Sequence, residues 1–104
     1  GLMVDLTDRY ILTSNRESGF GRYDVMLEPR EKGDDAIILE FKVRDSEDEK
    51  ELSDTVQEAL KQIDRKQYEV SLIEKGIPKE KIRKYGFAFQ GKQVLIGGGQ
   101  YEAV

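Results

Sequence analysis

The sequence predicts an α/β domain in which helices flank a mixed central sheet. Three observations support this fold class. Residues 9–43 contain three apolar or alternating segments separated by polar turns, residues 44–75 carry apolar residues at helical spacing, and residues 82–98 return to two strand-like segments. Because a helical crossover precedes the last strands, one of them can pair in parallel with the first group, which makes the sheet mixed.

The length and composition fit one globular domain over residues 1–104. A chain of 104 residues with 38% hydrophobic and 37% charged residues can bury one hydrophobic core but not two. Leu2, Met3 and Leu6 have helical spacing and no cap before them, so we expect the end of a helix that starts upstream in a longer parent protein. Residues 97–104 are expected to form a flexible tail.

The composition excludes many kinds of chemistry. The chain has no cysteine and no histidine, which excludes disulfides, thiolate zinc sites, cysteine nucleophiles and the commonest general base. Any reaction has to use carboxylates, lysine, tyrosine, hydroxyl groups or a hard metal ion held by oxygen ligands.

The charge and hydropathy patterns bear on partners and location. A net charge of -4 counts against a protein that binds nucleic acid non-specifically through its overall charge. It does not exclude a local basic patch. Residues 79–84, KEKIRK, form a basic cluster, but such runs are more often a solvated surface than a DNA contact. The sequence shows no membrane-spanning run and no signal peptide, so we expect a cytoplasmic location.

The first three strands follow each other along the chain. Residues 9–14 read as a short strand, and residues 15–21 as a turn with two glycines. Residues 22–29 alternate between faces and stop at a proline, and a charged turn at 30–35 leads into the apolar strand 36–43. These segments predict a three-stranded antiparallel unit with the strand 36–43 in the middle of the complete sheet.

A helical region follows the third strand. Ser46 and Glu49 are spaced as a capping box at its start, and Gly76 marks its end. Val70 and Ile73 continue the apolar face after a polar interruption, which suggests a second helix. The main apolar stripe is formed by Leu52, Val56, Ala59, Leu60 and Ile63.

The last two strands form a predicted hairpin. Residues 82–89, IRKYGFAF, and residues 93–98, QVLIGG, are strand-like, and Gln90, Gly91 and Lys92 between them fit a tight turn.

The strand AIILEFKV carries two charged residues where core residues are expected. Glu40 and Lys42 lie on one face of this strand, because successive side chains point to opposite faces. Burying a lone charge costs several kcal/mol, so such residues are structurally paired, reach solvent at the strand end, or hold a ligand. A structural ion pair explains Glu40 and Lys42 but gives no role to Asp24.

Asp24 lies on the polar face of the preceding strand. A small stagger between the two strands places Asp24 beside Glu40. Two adjacent carboxylates repel each other unless a cation lies between them, and a divalent metal ion would fill that role.

These segments resemble a known family. GRYDVML followed by AIILEFKV resembles the signature of the PD-(D/E)XK nuclease superfamily, with an Asp on one strand and Glu-x-Lys on the next. The wider pattern, over residues 10–96, is similar to the nuclease-like C-terminal domain of bacterial proteins with an AAA-ATPase-like N-terminal region. The resemblance implies a restriction-endonuclease-like core, here truncated at its first helix.

The resemblance also implies roles for individual residues. It assigns Asp24, Glu40 and the backbone carbonyl of Phe41 to a metal ion, Mg²⁺ or alternatively Mn²⁺. Lys42 would orient or help deprotonate the attacking water and stabilise negative charge on the phosphate. This agrees with the preference of a hard cation for oxygen ligands. Gln62 resembles the helix glutamine that relatives direct into the site.

The pattern departs from the family in two places. The tyrosine that often follows Gln62 by four residues is replaced by Lys66, and Tyr68 comes two residues later. Relatives often contribute a further acidic residue from a helix before the first strand, which would lie upstream of Gly1.

Two functions remain open from the sequence. The first is a metal-dependent nuclease that hydrolyses nucleic acid, with DNA the expected partner and Asp24, Glu40, Lys42 and Gln62 as site residues. The second is a nuclease-like domain with weak or no activity that binds or regulates within an ATPase-containing protein. A homodimer that covers an exposed face of the domain is a further expected partner.

Overall fold

The computed structural model describes residues 8–17, 22–31 and 33–99 of the chain. This part forms a five-stranded sheet and two α-helices, with a short 3₁₀ helix at Lys79–Lys81. The elements in chain order are β1 (Tyr10–Glu17), β2 (Arg22–Pro29), β3 (Ala36–Val43), α1 (Leu52–Arg65), α2 (Tyr68–Glu74), β4 (Ile82–Gln90) and β5 (Gln93–Gly99).

The sheet is mixed, as the sequence predicts. Its strand order is β1-β2-β3-β4-β5. The pairs β1–β2, β2–β3 and β4–β5 are antiparallel, whereas β3 and β4 are parallel. The helical segment between β3 and β4 supplies the crossover that a parallel pair requires. The predicted α/β class and the central position of AIILEFKV are therefore confirmed.

The hydrophobic core lies between the sheet and the helices. Ala36 and Ile38 on β3 have no exposed surface, and they cluster with Ile63 of α1, Leu72 of α2 and Ile82 of β4. Burial of each large aliphatic side chain contributes about 1.5–3 kcal/mol relative to exposure. The core therefore fixes α1 against the face of β3 that also carries Glu40 and Lys42, since alternate residues share a face.

Two glycines allow α1 to approach the sheet closely. A Cβ atom on Gly86 of β4 would lie 3.0 Å from the backbone oxygen of Val56, and one on Gly97 of β5 would lie 2.5 Å from Val56 Cγ1. A side chain at either position would push the helix away from the strands. These contacts set the distance between α1 and the sheet. They thereby also set the positions of the α1 side chains that face β2 and β3.

The other face of the sheet is aromatic and partly exposed. Phe41 stacks on Tyr23 with ring centroids 4.5 Å apart, and on Phe87 with centroids 4.8 Å apart. Val43 and Ile96 on the same face are each 53% exposed. The side chains of β3 thus divide cleanly, with Phe41 on this outer face and Glu40 and Lys42 under the helices.

The structure corrects the predicted start of the first helix and confirms the second helix. The capping box assigned to Ser46 and Glu49 is wrong, because α1 begins after Glu51, whose side chain forms a capping box with Asp54. Glu49 instead turns inward and is bonded to Lys42. The second predicted helix exists and begins at Tyr68.

The strand ends also differ from the expectations. β1 runs to Glu17, beyond the predicted end at residue 14. Gly97 and Gly98, which lie in both the predicted last strand and the expected tail, belong to β5 together with Gly99 and pair with β4. The rest of that tail, 100–104, and the helix end expected at residues 1–7 lie outside the described residues. Within the described part of the chain, no helix is long and apolar enough to cross a membrane.

Candidate active site

Asp24 and Glu40 are direct neighbours across β2 and β3. The strand register pairs their Cα positions, as the sequence predicts. Asp24 is 1% exposed and Glu40 has no exposed surface. Two carboxylates in adjacent strand positions and out of water repel each other strongly unless positive charge lies beside them.

Lys66 supplies positive charge to both carboxylates. Its Nζ atom lies 2.6 Å from Asp24 Oδ2 and 3.5 Å from Glu40 Oε1. Lys66 is the residue that caps the C-terminal end of α1, where the helix dipole favours a cation. Asp24 and Glu40 are called the acid pair below. The Lys66 side chain is 20% exposed, so its ammonium group lies at the edge of the buried acid pair rather than deep within the core.

Tyr68 and Asn15 hold the other oxygen of Asp24. The Tyr68 hydroxyl donates to Asp24 Oδ1 at 2.8 Å, and Asn15 Nδ2 donates to the same oxygen at 3.3 Å. Burial and the hydrogen bond to Asp24 raise the pKa of Tyr68, so its hydroxyl remains a donor at neutral pH. Both oxygens of Asp24 are therefore engaged, Oδ1 by neutral donors and Oδ2 by the ammonium group.

A sharp bend between the helices brings Lys66 and Tyr68 to the same site. Gln67 between them has the left-handed backbone conformation, with φ of 58°. This conformation costs a residue with a side chain about 1–3 kcal/mol and interrupts the helix. As a result, Lys66 at the end of α1 and Tyr68 at the start of α2 both contact Asp24.

Lys42 shares the sheet face of the acid pair but bonds to a different carboxylate. Its Nζ donates to Glu49 Oε2 at 2.7 Å, and both side chains are 4% exposed. Thr55 Oγ1 and the backbone N–H of Asp45 donate to the other oxygen of Glu49, at 3.0 and 2.7 Å. Burial would raise the pKa of Glu49, but these hydrogen bonds and the Lys42 charge outweigh it and lower that pKa.

Gln62 lies one helical turn before Lys66 on α1. Its amide oxygen accepts hydrogen bonds from Arg22 Nη1 and Arg65 Nη1, both at 2.8 Å, in the amide orientation that satisfies these donors. Arg22 is opposite Lys42 in the register of β2 and β3. Gln62 thus gathers two guanidinium groups on the helix side of the sheet, near the strand positions of the acid pair.

Two further predicted features are the ligand role of Phe41 and the basic cluster at residues 79–84. The Phe41 ring faces away from the acid pair, so only its backbone carbonyl is available to the ligand role implied by the resemblance. In the cluster at residues 79–84, Arg83 is bonded to Asp35 at 2.6 Å and Lys84 to Glu69 at 2.7 Å. These ion pairs reduce the positive charge that the cluster presents to a nucleic acid.

Sequence reasoning missed four contributors to the site. Lys66 was noted only as the residue standing in place of the family tyrosine, although its helical spacing from Gln62 was a usable signal. Glu49 was assigned to a cap, and the contacts of Asn15 and Arg65 carried no signal in the sequence.

Asp24 and Glu40 bring two carboxylate groups together at the site. No group of three or more Asp, Glu, His or Cys side chains that could hold a metal ion occurs among residues 8–17, 22–31 and 33–99. The acid pair nevertheless offers oxygen ligands of the kind that Mg²⁺ and Mn²⁺ prefer. Asp24 Oδ2 and Glu40 Oε1 already share one cation, the Lys66 ammonium group.

Comparison with known proteins supports the resemblance. The family model of the PD-(D/E)XK nuclease superfamily matches residues 2–98. Searches of curated proteins and of solved structures gave no match. The matched region includes the whole of the described sheet up to Gly98, both helices and the acid pair on β2 and β3. The chain therefore belongs to the PD-(D/E)XK nuclease superfamily.

Proposed function

We propose that this domain is a metal-dependent nuclease that hydrolyses phosphodiester bonds in nucleic acid, with DNA as the preferred substrate. The observation that carries the proposal is the register pairing of Asp24 with Glu40, both buried and both bonded to one ammonium group. Keeping two carboxylates together out of water costs free energy. In the superfamily to which the chain belongs, such a pair serves as a metal ligand set for nucleic acid hydrolysis.

The acid pair would hold the metal ion. Asp24 and Glu40 provide carboxylate oxygens, and the backbone carbonyl of Phe41 is a third candidate ligand. Mg²⁺ is the expected ion, and Mn²⁺ would be accepted by the same oxygen ligands. When bound, such an ion lowers the pKa of a coordinated water and neutralises charge on a phosphoryl oxygen.

Lys42 would act on the substrate phosphate and the attacking water. It lies two residues beyond Glu40 on the same face of β3, and the ion pair with Glu49 fixes its side chain. An ammonium group held in this way is suited to orienting a water molecule and to stabilising the negative charge that develops on the phosphate.

Arg22 and Arg65 are the candidate contacts to the nucleic acid backbone. Their guanidinium groups converge on the neutral oxygen of Gln62, and Arg65 also lies 4.0 Å from Glu58 Oε2. Arginine binds phosphate with two parallel hydrogen bonds and is the common residue for this purpose. Gln62 would therefore support the site by placing two phosphate-binding groups next to the acid pair.

A second function is favoured by the ion pairs themselves. Lys42 is bonded to buried Glu49, and Lys66 is bonded to both members of the acid pair. A domain with its charges satisfied internally could be a binding or regulatory module with little activity, as part of a parent protein with an ATPase-like region. In that case the exposed outer face around Val43 and Ile96 would be covered by a second copy of the chain.

Metal-linked stabilisation combined with a hydrolysis assay separates the two functions. The wild-type protein, Asp24→Asn and Asp35→Asn are each heated with EDTA, Mg²⁺ or Mn²⁺, and each is incubated with supercoiled plasmid DNA. Asp35 is the matched control because it is also an ion-paired aspartate, bonded to Arg83 at 2.6 Å. A metal at 100 times its Kd would stabilise the folded state by about 2.7 kcal/mol.

The nuclease proposal expects metal-dependent stabilisation and DNA nicking in the wild type and in Asp35→Asn, with both lost in Asp24→Asn. Stabilisation by metal without nicking of DNA would favour the regulatory module. The metal site is refuted if neither ion stabilises the wild-type protein at millimolar concentration.

A further inference from the structure

Lys66 occupies the position in which a cation interacts with both acids at once. Its Nζ is 2.6 Å from Asp24 Oδ2 and 3.5 Å from Glu40 Oε1. Lys42, the lysine of the Glu-x-Lys pattern, is instead bonded to Glu49. The lysine that balances the charge of the acid pair therefore comes from the end of α1 and not from β3.

We propose that Lys66 is the resident counter-ion of the acid pair and that it sets the affinity of the site for divalent metal ions. Lys66 releases Asp24 and Glu40 when a metal ion binds, so metal affinity is reduced by the strength of the Lys66 ion pairs. This inference rests on the proposed metal site and adds to it a residue that controls metal affinity.

The contacts of Asp24 separate its two oxygens. Tyr68 and Asn15, both neutral donors, hold Oδ1, whereas Oδ2 is bonded to Lys66. The side chain thus remains oriented when Lys66 leaves, and Oδ2 is presented to the incoming cation. Competition follows because the ammonium group and the metal ion would use the same oxygen of Asp24 and the same carboxylate of Glu40.

The surroundings of Lys66 favour its release over that of Lys42. The Lys66 side chain is 20% exposed and lies at the end of a helix, so its ammonium group can reach water by rotation of a flexible stem. Lys42 is 4% exposed and its partner Glu49 is equally buried. A released Lys66 stays tethered beside the acid pair, where its charge would suit a substrate phosphate.

Calorimetric titration of metal-free protein with Mn²⁺ and with Mg²⁺ tests the inference directly. Lys66→Gln is expected to bind Mn²⁺ about tenfold more tightly than the wild type, which corresponds to about 1.4 kcal/mol. Lys66→Arg retains the charge and should keep affinity near the wild-type value. Lys75→Gln is the matched control, because Lys75 also forms a 2.6 Å ion pair, with Glu28, at a more exposed position.

Stability in the absence of metal provides a second measurement. Loss of the counter-ion removes a positive charge from beside two buried carboxylates, so Lys66→Gln should melt several degrees lower than the wild type in EDTA and recover most of that loss in excess Mn²⁺. Lys75→Gln should show neither change.

A wild-type experiment keeps the inference testable if Lys66→Gln does not fold without metal. In protein with ¹³C-labelled lysine, the Cε signal of Lys66, assigned with Lys66→Arg, should move during a Mg²⁺ titration while that of Lys75 stays fixed. If the wild type and all variants bind neither ion, both the metal site and this inference fail. If the wild type binds metal and Lys66→Gln binds with equal or lower affinity, or the Lys66 signal is unchanged at saturation, this inference alone is overturned.

Discussion

Lys42 and Glu49 form an ion pair of 2.7 Å in which each side chain is 4% exposed. The pair joins the end of β3 to the segment that precedes α1. Thr55, on the first turns of α1, donates to the same carboxylate. Glu49 therefore links the strand that carries Glu40 to the helix that carries Lys66, and its loss should affect both stability and the geometry of the site.

Glu49→Gln is expected to destabilise the protein by about 3–5 kcal/mol, because Lys42 would remain buried without its counter-charge. Urea denaturation of the metal-free protein measures this change. Exposed Glu47→Gln is the control and should leave the unfolding midpoint unchanged. Removing both charges in Lys42→Met with Glu49→Leu should cost less than Glu49→Gln alone, and a larger cost would contradict a structural role for the pair.

The same carboxylate predicts a pH dependence. The pKa of Glu49 in the folded protein lies below its ordinary value of 4.5. The ionised form is thus favoured by folding, and its contribution to stability is complete above that ordinary value and is lost as the pH falls through the lower folded pKa. Wild-type protein should lose more stability below pH 4.5 than Glu49→Gln does, as measured by urea denaturation across acidic pH. Parallel curves for the two proteins would refute this assignment.

The sequence predicted the strands better than the helix start. Residues 22–29 and 36–43 were bounded correctly because a proline, a charged turn and an abrupt change in composition mark their ends. The start of α1 was misplaced because Ser46 and Glu49 have the spacing of a capping box. Only the tertiary structure shows that the Glu49 carboxylate is bonded to Lys42, because the irregular segment between β3 and α1 folds back over the seven residues that separate them.

The sequence predicted the strand residues of the candidate site but not the contacts made from the helices. The pairing of Asp24 with Glu40 follows from strand alternation and a short connection, both of which are readable in the sequence. The contact of Tyr68 with Asp24 depends on the left-handed conformation of Gln67, a residue type that gives little warning of positive φ. Tyr68 therefore reaches the site through a bend that no motif predicts, whereas Lys66 lies one helical turn after Gln62 at the end of α1.

Gly97→Ala is expected to destabilise the protein by about 1–3 kcal/mol through overpacking. The added methyl group would lie 2.5 Å from Val56 Cγ1, so α1 would have to move away from β5. A double-mutant cycle with Val56→Ala, measured by urea denaturation, checks the cause. The penalty of Gly97→Ala should be clearly smaller in the Val56→Ala background, and an equal penalty in both backgrounds would assign it to the strand backbone instead.

Arg22→Gln and Arg65→Gln should each weaken DNA binding and reduce its dependence on salt. Each lost phosphate contact lowers the slope of log affinity against log salt concentration by about 0.9 for duplex DNA. Fluorescence anisotropy with Ca²⁺ in place of Mg²⁺ would measure binding with hydrolysis suppressed. Lys61→Gln, on an exposed part of α1, is the control, and an unchanged slope in both arginine variants would remove them from the nucleic acid contact.

Tyr68→Phe is expected to destabilise the metal-free protein by about 1.5–3 kcal/mol, because Asp24 Oδ1 loses its shortest neutral donor while the carboxylate remains buried. Tyr23→Phe makes the same chemical change on the outer face, where the ring stacks on Phe41, and should have little effect. Asn15 still donates to Oδ1 at 3.3 Å, so the orientation of Asp24 should be weakened rather than lost. Tyr68→Phe should accordingly bind Mn²⁺ more weakly than the wild type in a calorimetric titration, opposite in sign to Lys66→Gln. If Tyr68→Phe and Lys66→Gln both bind the metal ion more tightly than the wild type, then the Tyr68 hydrogen bond opposes metal binding by Asp24 and does not orient Asp24 for it.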